Sequence, residues 1–119
     1  MAVILIAALV IGVQSAPANE LDYRRGDLAY QALVTGDLTT AEKQLTKSSA
    51  AYRSDPAWLL NYGHFLARSG RINEASEIFR SVRNAPDVEV VLASGEVIGT
   101  REASRRSLKR LRFSGLSSR

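Results

Sequence analysis

His64 is the only histidine in this 119-residue chain, and there is no cysteine. A lone imidazole titrating near neutrality could shuttle a proton or ligate a metal. A metal site or a catalytic triad needs several such groups converging. No second His, no Cys and no acidic residue stands at helical spacing from His64, so neither can be assembled locally. The absence of cysteine also excludes disulfides, thiolate catalysis and thiolate metal sites. Glu74 and Glu77 sit about one turn apart and read as a solvated helix face, not an acid–base pair. Gly36-Asp37-Leu38-Thr39-Thr40 lacks the second glycine and the lysine of a phosphate-cradling loop. It reads as a turn between helices. The chemistry points away from an enzyme, with no cofactor and no metal expected.

Charge is the second source of chemistry, and it is unevenly placed. Residues 19–99 hold 9 basic and 11 acidic side chains, whereas residues 100–119 hold 7 basic side chains against Glu102 alone. The excess belongs to one segment, in which Arg101, Arg105, Arg106, Lys109, Arg110 and Arg112 form a basic surface. Ser104, Leu108 and Leu111 gather on its other side. Three readings compete for this segment: a docked cap helix with a solvated basic face, a weak contact with an anionic membrane, and nucleic-acid binding. Charge alone is weak evidence for nucleic acid, and none is expected as a partner.

Periodicity supplies the elements that must position these groups. A first helix is predicted from Asp22 to Thr35, stopped by Gly36, and a second from Leu38 to Tyr52. Ser54-Asp55-Pro56 restarts the pattern, with Ser54 or Asp55 able to cap and Pro56 suited to a first helical turn. A third helix follows from Pro56 to Ser69, stopped by Gly70, and a fourth from Arg71 to Arg83, closed by Pro86. Val88 to Leu92 and Val97-Ile98 flank Ser94-Gly95 as a short β-hairpin. Thr100 then caps a last helix from Arg101 to Arg112, and residues 114–119 are expected to be disordered.

Val3 to Val13 is an uncharged apolar run followed by Ala16-Pro17-Ala18. The run matches a secretory h-region with a small-residue cleavage site, although no Lys or Arg precedes it. Residues 1–18 are therefore predicted to be a signal peptide cleaved after Ala18, placing the chain in the periplasm. An uncleaved anchor or a buried N-terminal helix are the alternatives.

The pattern is written twice, 34 residues apart. Ala29 aligns with Gly63, Ala32 with Leu66, Leu33 with Ala67, Gly36 with Gly70, Leu38 with Ile72, Ala41 with Ala75 and Leu45 with Phe79. A period of this length denotes helical hairpins that bury their faces by stacking. The chain resembles the tetratricopeptide-repeat (TPR) family, with repeats at about 22–55 and 56–89. Leu59, Tyr62, Gly63, Leu66, Gly70, Ala75, Phe79 and Pro86 carry the resemblance in the second repeat, and Leu28, Ala29, Gly36, Ala41 and Leu45 carry it in the first.

The resemblance implies a mostly α fold. Two TPR hairpins over residues 19–87, a fragment of a right-handed α-solenoid, are followed by the β-hairpin and a C-terminal capping helix over 88–113. Val88, Val90 and Leu92 would cover the open end of helix four, since two repeats are fewer than a stable stack needs. Self-association or a partner could complete the stack instead. The resemblance also implies a groove lined by the first helix of each repeat, with Tyr23, Tyr30, Leu33 and Val34 from one and Ala57, Leu60, Asn61, His64 and Arg68 from the other. Such a groove would bind another protein or peptide. Of the Lys, Asn and Arg set with which family members grip a terminal carboxylate, only Asn61 is matched.

Overall fold

A computed structural model describes residues 26–92 and 94–117, and the N-terminal apolar run and Tyr23 lie outside them. The described chain is mostly helical with one small antiparallel sheet. In order it forms α1 (Tyr30–Thr35), α2 (Leu38–Tyr52), α3 (Pro56–Arg68), α4 (Ile72–Ser81), a 3-10 turn (Val82–Asn84), β1 (Glu89–Val91), β2 (Val97–Gly99) and α5 (Thr100–Ser117).

Glycine and a polar cap punctuate the helices where the sequence placed them. Gly36 and Gly70 both take left-handed backbone angles, φ 80° and 84°, a region open to glycine without a Cβ penalty. The hydrogen bonds that close the two helix ends repeat with the 34-residue period. Gly36 and Gly70 donate to Leu33 and Ala67, while Asp37 and Arg71 donate to Ala32 and Leu66. Asp37 caps α2 by accepting from the Thr40 amide at 3.1 Å. Asp55 caps α3 by accepting from the Ala57 amide at 3.0 Å, and Pro56 occupies the first turn.

The start of the first helix differs from expectation. Among the described residues, helix begins only at Tyr30, after a turn in which Ala29 donates to the Gly26 carbonyl at 2.9 Å. Gly26 is at φ 90° and Ala29 at φ 56°, left-handed for a non-glycine residue. Two carbonyls that a continuous helix would use internally are instead taken by side chains from elsewhere. Ser48 Oγ on α2 donates to the Asp27 carbonyl at 2.7 Å. Asn61 Nδ2 on α3 donates to the Leu28 carbonyl at 2.8 Å. Trp58 Nε1 donates to Ser48 Oγ at 2.9 Å, so the clamp on the turn has its own support.

Packing follows the small–large exchange read from the repeat. Ala41, Leu45, Ala75 and Phe79 are all buried in one core with Leu28, Leu33, Leu60, Leu66 and Val82. Gly63 has a specific reason to lack a side chain: a Cβ there would lie 2.6 Å from the Phe79 ring. The first hairpin holds Ala29 and Leu45 at the corresponding positions, a larger residue opposite a smaller one.

β1 and β2 pair antiparallel with Glu89 opposite Gly99, Val90 opposite Ile98 and Val91 opposite Val97. Val90 and Leu92 are buried, whereas Val88 stays 39% exposed. α4 ends at Ser81, and the 3-10 turn absorbs the residues before Pro86. α5 packs on α4, α3, the 3-10 turn and β2. Its buried side is Ala103, Ser104 and Ser107, with Leu108 and Leu111 half-buried. The Ser104 hydroxyl donates to the Phe79 carbonyl. Thr100 is the first residue of α5, not its cap. Asp87 Oδ1 accepts from the Arg101 amide at 3.1 Å and supplies the acceptor from a distance. The helix also runs through Ser117, past the Arg112 end and into the stretch expected to be disordered.

Candidate functional site

Two surfaces bear the candidate residues, one on α1 and α3 and one on α5. On the first, burial divides the expected groove. Leu33, Ala57, Leu60 and Asn61 are buried, so they are core residues unable to meet a partner. Their side chains are enclosed in the core, and Asn61 Nδ2 is spent on the Leu28 carbonyl. That leaves Tyr30, half-buried, Val34, 46% exposed, and the exposed Arg68. Arg68 Nη1 donates to the Leu33 carbonyl at 2.6 Å, crossing from α3 to the end of α1. The guanidinium is thereby a second donor to a carbonyl that also accepts from the Gly36 amide, and it links α3 to the end of α1.

His64 sits half-buried on α3, edge-on to Phe79 with ring centroids 6.2 Å apart. Burial, then the charges of Arg68 and Arg110, depress its pKa from 6.5 to about 3. The imidazole is neutral at physiological pH and far from the range in which general acid–base catalysis is efficient. Its Nδ1 is buried without a hydrogen-bond partner. Tyr62, two residues before His64 on α3, is stacked on Trp58 at 4.8 Å and on Phe65 at 6.4 Å. Among the described residues no group of three His, Cys, Asp or Glu side chains could hold a metal ion. Glu74 is engaged by Arg71 at 2.6 Å on the solvated face of α4.

On α5 the cations fall into two sets. Glu102 accepts from Arg105 at 2.6 Å and from Arg106 at 2.9 Å, which pulls its carboxyl down to about 2. Arg106 also reaches back to Glu96 on the hairpin at 3.0 Å, and its own pKa is raised by both carboxylates. Arg101 donates to the Ala85 carbonyl at 3.2 Å. The set farther along the helix has no carboxylate partner among the described residues: Lys109, Arg110 and Arg112. Arg110 Nη1 is moreover buried without any acceptor. Arg105, Arg106, Lys109, Arg110 and Phe113 line an open depression of about 320 Å³.

The Ser48–Trp58 clamp and the Asp87 cap escaped sequence reading, because each joins residues too far apart in sequence for local patterning to show. The chain matches no family model, no curated protein and no solved structure. No helix among the described residues is long and apolar enough to cross a membrane.

Proposed function

We propose that this chain is a non-enzymatic interaction module of the tetratricopeptide-repeat kind, exported to the periplasm, that binds a partner protein or peptide across α1 and α3. The observation that carries this reading is the Arg68 bridge to the Leu33 carbonyl, which makes one surface of two helices from successive hairpins. That surface offers an aromatic at Tyr30, an exposed aliphatic at Val34 and a guanidinium at Arg68. Aromatic and Arg side chains dominate interface energetics because they combine area with polar tips. The period-34 turn geometry at Gly36 and Gly70 supports the repeat assignment, and the neutral, half-buried His64 counts against catalysis.

The test is quantitative cross-linking of a tagged copy in its native host, wild type against Tyr30→Ala/Val34→Asp and against Glu77→Arg on the outer face of α4. Neither Tyr30 nor Val34 belongs to the central core, so the variant should keep its helical circular dichroism. A partner lost with the α1 variant and kept with the α4 variant supports the groove. A partner indifferent to both removes it.

A further inference from the structure

We propose that the outward face of α5 docks on an anionic phospholipid surface, with Lys109, Arg110 and Arg112 pairing with lipid phosphates and Phe113 entering the headgroup layer. The inference stands independently of the groove, which lies on α1 and α3.

Three observations converge on this face. Its charge is uncompensated where it matters: the only acidic residue of the helix, Glu102, is consumed near its start by Arg105 and Arg106. Lys109, Arg110 and Arg112 fall within about one turn farther along, with no carboxylate partner among the described residues. Second, Arg110 carries a buried Nη1 with no acceptor. Arg110 also lines the open depression with Arg105, Arg106 and Lys109, so four cations converge on one concave surface that suits a phosphate. Third, Phe113 lines the same depression and is 60% exposed, the most exposed large apolar side chain described. An aromatic ring among cations suits the boundary between headgroups and acyl chains, where basic side chains pair with phosphate.

The apolar side of α5 is already packed against α3 and α4, so this is surface contact and not insertion of the helix. A flat anionic surface fits better than a nucleic acid. The uncompensated cations span only the stretch from Lys109 to Arg112. Glu96 and Glu102 flank the patch on the hairpin side, where a continuing phosphate backbone would meet them.

The experiment is co-sedimentation of the purified chain with phosphatidylcholine vesicles and with vesicles containing about a third phosphatidylglycerol, read at low salt and at about 0.5 M salt, where the Debye length is roughly 4 Å. Binding only to the anionic vesicles, lost in high salt, is expected. Lys109→Gln/Arg110→Gln/Arg112→Gln should lower vesicle affinity roughly 100-fold, from about five-fold per cation at an anionic surface. Lys43→Gln/Lys47→Gln/Arg53→Gln, on α2 and at its C-terminal cap, removes the same charge and should leave most of the affinity. Should loss of Arg110 unfold the chain, Lys109→Gln/Arg112→Gln, both at exposed positions, reads the same effect at roughly 30-fold. Equal loss in the α2 variant, no preference for anionic vesicles, or competition by inorganic phosphate at matched ionic strength would each overturn the proposal. So would a single-stranded oligonucleotide that binds more tightly than the vesicles.

Discussion

Asn61 on α3 hydrogen-bonds the carbonyl of Leu28, 33 residues earlier, at 2.8 Å in the buried interior. This side chain ends the reach of the first helix toward the N-terminus, because the carbonyl it takes is the one that Ala32 would otherwise use. Asn61→Leu keeps the volume but leaves that carbonyl buried and bare. A loss of about 2–3 kcal/mol is expected in urea denaturation. A loss below about 0.5 kcal/mol would mean that the turn is held by its own backbone.

Gly63 and Phe79 test whether the two hairpins follow one packing rule. In an exposed helix Gly→Ala adds stability, up to about 1 kcal/mol. Here the new Cβ would fall 2.6 Å from the Phe79 ring, so Gly63→Ala should instead destabilise by about 1–3 kcal/mol. Adding Phe79→Leu recreates the Ala29 and Leu45 pairing of the first hairpin. The double variant should recover part of the loss, with a coupling of at least about 0.5 kcal/mol. Strict additivity would break the correspondence.

Acid should weaken the fold through His64, which faces Arg68 on its own helix and Arg110 on α5. Its folded pKa of about 3 lies below the ordinary 6.5. Between those values the unfolded chain holds a proton that the folded chain refuses. The contribution is therefore complete above pH 6.5 and declines as pH falls, by about 2 kcal/mol near pH 5. Glu102, depressed to about 2, adds loss in the same direction only below its ordinary 4.5. Urea midpoints at about pH 7 and about pH 5 should separate for the wild type and converge for His64→Leu. A wild-type midpoint unchanged over that interval would show that the imidazole titrates freely.

Gly70 isolates the backbone term at a helix end. Its φ is 84°, and nothing lies within 4 Å of an added Cβ. Gly70→Ala should cost about 1 kcal/mol from conformation alone. Gly70→Asn should cost less, since asparagine enters the left-handed region more readily. Equal thermal shifts for the two variants would indicate a different origin.

Local signals were the legible ones. Gly36 and Gly70 end their helices, Asp55-Pro56 starts one, and Ser94-Gly95 lies in the hairpin turn, because each rests on the conformational preference of one or two residues. The exchange of Phe79 for Leu45 was legible because repetition compares one packing position with another. The late start of α1 was not. It depends on Ser48 and Asn61 reaching carbonyls 21 and 33 residues away, and nothing near Asp22 to Leu28 announces them. Asp87 as the cap of α5 was hidden for the same reason, acting 14 residues ahead of Arg101. On the candidate surface, Tyr30, Val34 and Arg68 stayed accessible, while Leu33, Leu60 and Asn61 went inside. A sequence resemblance names a helix face, but burial decides which part of that face stays accessible.

The turn before α1 is tethered to both α2 and α3, and this bears on how the protein opens. A side chain of α3 holds the turn before α1, so releasing α3 releases that turn as well. The slowest-exchanging amides of α1 and α3 are then expected to share a single opening free energy, making the pair of hairpins one cooperative body.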